Sequence, residues 1–121
     1  MDWQTTELDD VHVLTISGRF DAHGVPAIKD WLAQVTASGR PEVLVRLADV
    51  QFMDSSALGT LVDGLKRCQA RGGQLILTRL PQPVRIIFEL TKLDQVFTIT
   101  STEDEALAAL VGLVWRRFTD E

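Results

Sequence analysis

The period of hydrophobic and polar positions changes several times along the chain, and each change marks an element. Val11 to Ser17 alternates, with Val11, Val13, Thr15 and Ser17 on one side and His12, Leu14 and Ile16 on the other. Apolar residues occur on both sides, so this period of two predicts a strand covered on both faces. Ahead of it, a short edge strand ends near Glu7 and Leu8-Asp9-Asp10 reads as a turn. Gly18 to Gly24 is a loop rich in residues that tolerate tight geometry. Val25, Ile28, Trp31, Leu32 and Val35 then recur at helical spacing, which predicts a first helix over about 25–37, closed by Gly39 and Pro41.

Val43 to Leu47 is nearly continuous in apolar residues, as expected of a central strand with helices on both faces. Asp54-Ser55-Ser56 ends that stretch and opens a second helix, whose stripe of Leu58, Leu61, Val62, Leu65 and Cys68 faces the core while Asp63, Lys66 and Arg67 face away. Gly72-Gly73 stops it. A strand over Gln74–Thr78 follows. The connection Leu80-Pro81-Gln82-Pro83 then leads into a third helix with Val84, Ile87, Phe88 and Thr91 inward. Val96 to Thr100 is a last short strand. Thr102 to Glu105 is a capping box that opens a fourth helix, with Leu107, Leu110, Val111 and Val114 inward. Trp115 and Phe118 lie past this stripe and are expected to tuck against the domain, with an oligomer contact as the alternative. Strands and helices alternating after an opening strand pair predict a single layered α/β domain with a sheet that is parallel at least in part.

Composition narrows the function. A chain of 121 residues with 45% hydrophobic and 24% charged residues can bury a core without disulfides or metal. Its apolar runs are far shorter than the roughly 20 residues of a membrane-spanning helix. The first ten residues lack the basic and apolar regions of a signal peptide, so a cytoplasmic protein without membrane insertion is expected. The single cysteine, Cys68, sits at an apolar helical position and reads as a small buried hydrophobe. A net charge of -5 argues against nucleic acid as a partner.

Enzyme chemistry finds no support. A serine hydrolase needs a base beside Ser55 or Ser56, yet His12 belongs to a strand and His23 to a loop, and Met53 to Ala57 is no nucleophile elbow. Two distant histidines and one cysteine form no metal-ligand spacing, and Asp21 with His23 reads as a loop hydrogen-bond pair. No phosphate-binding loop or dinucleotide fingerprint is present, so no catalytic residue, metal or cofactor is expected. Asp54-Ser55-Ser56 remains. Side-chain oxygens at a helix start cap free backbone N-H groups, and the same geometry suits a phosphate.

Taken together, Ala48 to Gly59, with Phe52-Met53-Asp54-Ser55-Ser56 at its centre, preceded by Gly18-Arg19-Phe20-Asp21 and followed by Gly72-Gly73, resembles the STAS domain of bacterial anti-sigma factor antagonists. The resemblance runs from about Val11 to Leu110. It implies one STAS domain over residues 1–121, with a mixed sheet flanked by about four helices and a C-terminal extension at 115–121. It implies a non-enzymatic partner switch that binds an anti-sigma factor serine kinase when unphosphorylated, frees the sigma factor, and is reset by a serine phosphatase. Ser55 is then the phosphate acceptor, with Ser56 as the alternative, and Asp54 orients it. The surface expected to dock is Asp54, Ser56, Ala57 and Gly59 with Thr60 and Asp63 as outward positions, and Asp21 and His23 form the loop beside it. The family commonly has glycine where this chain has Ala57. A homodimer stays open. The alternative within the resemblance is a STAS subunit that never cycles through phosphate, as an accessory of a lipid-transport ATPase or a scaffold of a stress complex.

Overall fold

The computed structural model describes residues 1–110. Its order is β1 (Asp2–Leu8), β2 (Val11–Phe20), α1 (Val25–Val35), β3 (Glu42–Met53), α2 (Ser55–Ala70), β4 (Gln74–Thr78), α3 (Gln82–Leu90), a 3-10 turn at Leu93–Gln95 and β5 (Thr98–Thr100). A further helix, α4, covers 103–110 of the described residues. The five strands form one sheet in chain order. β1 is antiparallel to β2, and β2 through β5 are parallel. The expected mixed sheet and layered α/β architecture are therefore present.

The opening hairpin turns through Asp9 and Asp10, both at positive φ, as a two-residue turn between twisted antiparallel strands demands. Each parallel connection then needs a crossover, and α1, α2 and α3 supply them. Their apolar stripes pack on one face of the sheet. Ile28, Leu32, Leu61, Leu65, Val84 and Phe88 join Leu14, Ile16, Val43, Val45, Leu75 and Leu77 in the larger core. The other face carries Val11, Val13, Leu44 and Ile76 under Ala106 and Leu110 of α4. Central strands are thus covered on both sides, which is why Val43 to Leu47 contains so few polar residues. Burying each Leu, Ile or Phe in these layers stabilises the fold by about 1.5–3 kcal/mol.

Local chemistry sets the ends of the elements. Thr102 accepts a hydrogen bond at Oγ1 from the Glu105 N-H at 3.2 Å, which is one half of the expected capping box; the Glu105 carboxylate accepts from the Thr102 hydroxyl at 3.1 Å in place of the Thr102 backbone N-H. Arg46 of β3 pairs with Glu103 and fastens that helix start to the sheet. α2 ends where Gly72 takes φ +76 and Gly73 lies against the Pro41 backbone, where a Cβ would overlap the Pro41 carbonyl. Gln74 then donates to that same carbonyl at 3.0 Å and starts β4 beside β3.

Several expectations change. β2 and β3 do not stop at Ser17 and Leu47 but continue to Phe20 and Met53. β4 has ended opposite Arg46, and β2 and β3 stay paired from Ser17–Asp49 to Phe20–Met53, with one register shift between Thr15 and Ser17 and a second between Gly18 and Arg19. The shifts explain why periodicity fails here: Ala48, Asp49 and Gln51 are exposed, yet Val50 and Met53 are buried. Thr91 is not inward; it is exposed at the end of α3, where its hydroxyl donates to the Ile87 carbonyl at 2.7 Å. The last strand is shorter than expected, because Val96 is exposed after the 3-10 turn and Phe97 fills the core, edge-on to Phe88. The expectations for Val111, Val114, Trp115 and Phe118 fall outside the described residues.

Candidate functional site

The paired ends of β2 and β3 build the site. Phe20 and Met53 face each other in the ladder, so the chain leaves β2 into the Asp21 loop next to the point where it leaves β3 into α2. Asp54 is the single residue between β3 and α2. Extended backbone (φ -98°, ψ 179°) makes it the N-cap. Its N-H donates to the Phe20 carbonyl at 3.4 Å, and its carbonyl accepts the first helical bond from Leu58 at 3.1 Å.

The Asp54 carboxylate has three partners. Oδ1 accepts from the Ala57 N-H at 2.9 Å and from the Ser56 hydroxyl at 2.7 Å. Oδ2 accepts from the Ala22 N-H at 3.0 Å. The Ser56 hydroxyl, followed by the Ala57 N-H, holds the Asp54 carboxyl below the usual carboxylate range, and partial burial opposes them. Sequence reasoning anticipated that side-chain oxygens cap this helix; the structure assigns the cap to the carboxylate and makes Ser56 its donor.

That arrangement separates the two serines. Ser55, the first residue of α2, is exposed and its hydroxyl makes no hydrogen bond among the described residues. Ser56 is exposed too, but its hydroxyl is committed to Asp54. Ala57 is buried in the core cluster, so its methyl adds apolar contact below the surface and leaves the exposed face clear. Gly59 and Asp63 are exposed as expected. Thr60 is not an outward position. It is 1% exposed, and its hydroxyl donates to the Ser56 carbonyl at 2.9 Å, because it falls on the inner side of α2 with Ala57 and Gly64.

Beside this turn, Asp21 organises the loop. Its Oδ1 accepts from the His23 N-H at 3.1 Å, and its carbonyl accepts from Gly24 and Val25 at the start of α1. The expected pairing of Asp21 with His23 is thus present, and the His23 ring projects into solvent. Sequence reasoning missed Ala22, whose contribution is a backbone N-H that leaves no side-chain signal. It also missed Arg19, which lies 4.0 Å over the Phe52 ring and stiffens the strand pair at the site. A groove of about 680 Å³ runs from Ser56 between α1 and α2, edged by Lys29, Asp30, Gly59, Asp63 and Arg67. Arg67 and Asp63 pair across one helical turn at 2.8 Å.

His12 pairs with Glu7 at the far end of the hairpin and His23 with Asp21, so neither is hydrogen-bonded to a serine. Among the described residues no cluster of His, Cys, Asp and Glu could hold a metal, and no helix is long and apolar enough to cross a membrane.

Comparison with known proteins agrees with this geometry. The profile of the STAS domain matches residues 2–106. The chain belongs to the STAS domain family. Its STAS domain is 29% identical over 100 residues to the anti-sigma-B factor antagonist of Listeria monocytogenes, covering 82% of this chain and 88% of that one. An anti-sigma factor antagonist from Mycobacterium paratuberculosis superposes with a TM-score of 0.80 at 27% identity, covering 90% of this chain and 92% of that one. SpoIIAA, an anti-sigma factor antagonist solved in its unphosphorylated form, shares the fold with a TM-score of 0.81 at 24% identity, covering 92% of this chain and 97% of that one. A structure of the phosphorylated form of SpoIIAA also shares the fold, with a TM-score of 0.73 at 23% identity, covering 89% of this chain and 98% of that one.

Proposed function

We propose that this STAS domain is an anti-sigma factor antagonist, and that phosphorylation of Ser55 decides whether it holds its partner. The observation that carries the reading is the contrast between the serines: Ser55 offers an exposed hydroxyl with no hydrogen bond among the described residues, while the Ser56 hydroxyl is held by Asp54. A kinase can draw Ser55 into its own site without breaking the cap; taking Ser56 removes the strongest support of the Asp54 carboxylate. Similarity to proteins named anti-sigma factor antagonists supports the role, and SpoIIAA is a relative of this fold that exists in a phosphorylated form.

The unmodified surface formed by Ser55, Ser56, Gly59 and Asp63, with the Asp21–His23 loop beside it, docks on an anti-sigma factor that is also a serine kinase. That association frees a sigma factor. Ala57 and Thr60 act from below, by fixing the turn. Phosphorylation adds about -1.5 to -2 charge at the first residue of α2. The helix N-terminus stabilises such an anion by roughly 0.3–2 kcal/mol, so the domain keeps its fold. At an interface the balance reverses. A doubly charged group about 6 Å from a partner carboxylate costs on the order of 5 kcal/mol at an effective dielectric near 20, several powers of ten in affinity. A serine phosphatase restores the unmodified state.

Mass spectrometry after incubation with ATP and the cognate kinase tests the assignment. Phosphate on Ser55, absent in Ser55→Ala and retained in Ser56→Ala, is the expected result. Full modification of Ser55→Ala overturns it.

A further inference from the structure

The outer edge of β1 has no neighbour in the sheet among the described residues, and all seven of its residues are exposed. Sheet edges are ordinarily blunted by brevity, lysine, proline or a bulge, because open N-H and C=O groups recruit another strand. The opposite edge follows this rule, since β5 has three residues. β1 does not. It runs for seven residues in unbroken register with β2, and Asp-Trp-Gln-Thr-Thr-Glu-Leu contains neither lysine nor proline.

We propose that this edge joins two copies of the chain, β1 pairing antiparallel with β1 about a two-fold axis at Thr5. The composition of β1 suits a copy of itself. Registry centred on Thr5 engages all seven residues and sets Asp2 opposite Leu8, Trp3 opposite Glu7 and Gln4 opposite Thr6. Neither carboxylate then faces another, so the strand opposes no like charges. Trp3 and Leu8, 39% and 40% exposed, each gain a cross-strand neighbour. Trp3, Thr5 and Glu7 pair with Ile16, Leu14 and His12 of β2, so both copies present these side chains on the same face of one continuous sheet.

Sedimentation equilibrium of the full chain over a range of micromolar concentrations tests this. The expected result is a dimer that strengthens with concentration. Thr5→Lys and Thr5→Glu, at an exposed position, each place like charges about 5 Å apart at the axis and raise the dissociation constant about tenfold or more. An equimolar mixture of the two variants recovers the dimer, because opposite charges then meet. Hydrogen exchange supplies a readout without substitution: in the dimer, alternate amides of β1 slow as protein concentration rises. A chain that stays monomeric throughout assigns the edge to some other partner and overturns the proposal. So does a Thr5→Lys variant that dimerises like the parent, or a mixture that stays apart.

Discussion

Asp54 and Ala22, 32 positions apart, meet in a 3.0 Å hydrogen bond from the Ala22 N-H to the Asp54 carboxylate. The other oxygen of that carboxylate caps α2 through the Ala57 N-H. One side chain therefore fixes both the helix that presents Ser55 and the loop beside it. Rigid presentation of this kind reduces the entropy lost when a partner docks.

The first prediction concerns Asp54→Asn. Asparagine is itself a good N-cap, but its amide offers one oxygen, so either Ala22 or Ala57 loses its acceptor. Because the folded-state pKa of Asp54 lies below its ordinary 3.8, the unfolded chain takes up the proton first as pH falls. The stability contributed by the carboxylate is complete above the ordinary pKa and is lost as pH drops through the lower folded value. Thermal midpoints should therefore differ between parent and Asp54→Asn by a few degrees at neutral pH, and the two curves should converge in acid.

Replacing each serine separates their roles without any kinase. Ser55→Ala removes an exposed hydroxyl with no hydrogen bond among the described residues and should leave unfolding free energy within about 0.5 kcal/mol of the parent. Ser56→Ala removes the largest influence that lowers the Asp54 pKa, so that pKa should rise toward its ordinary value, and the stability lost to acid should become smaller and be complete at a higher pH. Carboxyl carbon NMR titration of Asp54 reads the shift directly.

The sequence pattern revealed most where one period persists. Val43 to Val45 was legible because burial on both faces leaves a continuous apolar run, and the stripe of α2 from Leu58 to Cys68 because burial selects side chains at every three to four positions. Legibility stopped at the extensions to Phe20 and Met53, where two register shifts break the period, yet these extensions bring the Asp21 loop to Asp54. At the site, Ser55 and Asp54 could be singled out, but the partition of hydrogen bonds could not, since an Asp and a Ser at a helix start are equally good caps by composition. Thr60 was misplaced because a threonine reads as polar, while on the inner side of α2 its hydroxyl satisfies itself on the Ser56 carbonyl.

Packing between α1 and α2 supplies a further test. A Cβ added at Gly64 would sit 2.9 Å from one Leu32 methyl and 3.3 Å from Leu75 Cδ1. Leu32 and Leu75 are 2% and 0% exposed, so neither can swing away into solvent. Gly64→Val should destabilise the domain by about 1–3 kcal/mol despite the removal of a helix glycine. Because Gly64 packs against Leu32 of α1 and lies on the helix that carries Gly59 and Asp63, chemical shifts of those two residues should move with it. Urea denaturation and amide spectra of the variant check both outcomes.

Cys68 offers the last prediction. Burial, reinforced by the negative charge of Glu42, pushes its thiol up to about 12 from an ordinary 9.0. The thiolate is the reactive form, so the folded protein should resist alkylation by iodoacetamide at neutral pH, and labelling should appear only with unfolding. The sign of the pH effect on stability follows from the same shift. Between the two values the unfolded chain has lost a proton that the folded chain keeps, so stability is complete below 9.0 and falls as pH rises toward 12. Cys68→Ser should carry a smaller share of this alkaline loss. Serine leaves a hydroxyl that needs a hydrogen bond inside the core, so the variant should also be about 1–3 kcal/mol less stable at neutral pH. Cys68→Ala, which adds no polar group, separates the two effects: its alkaline stability loss should match that of Cys68→Ser, with a smaller deficit at neutral pH.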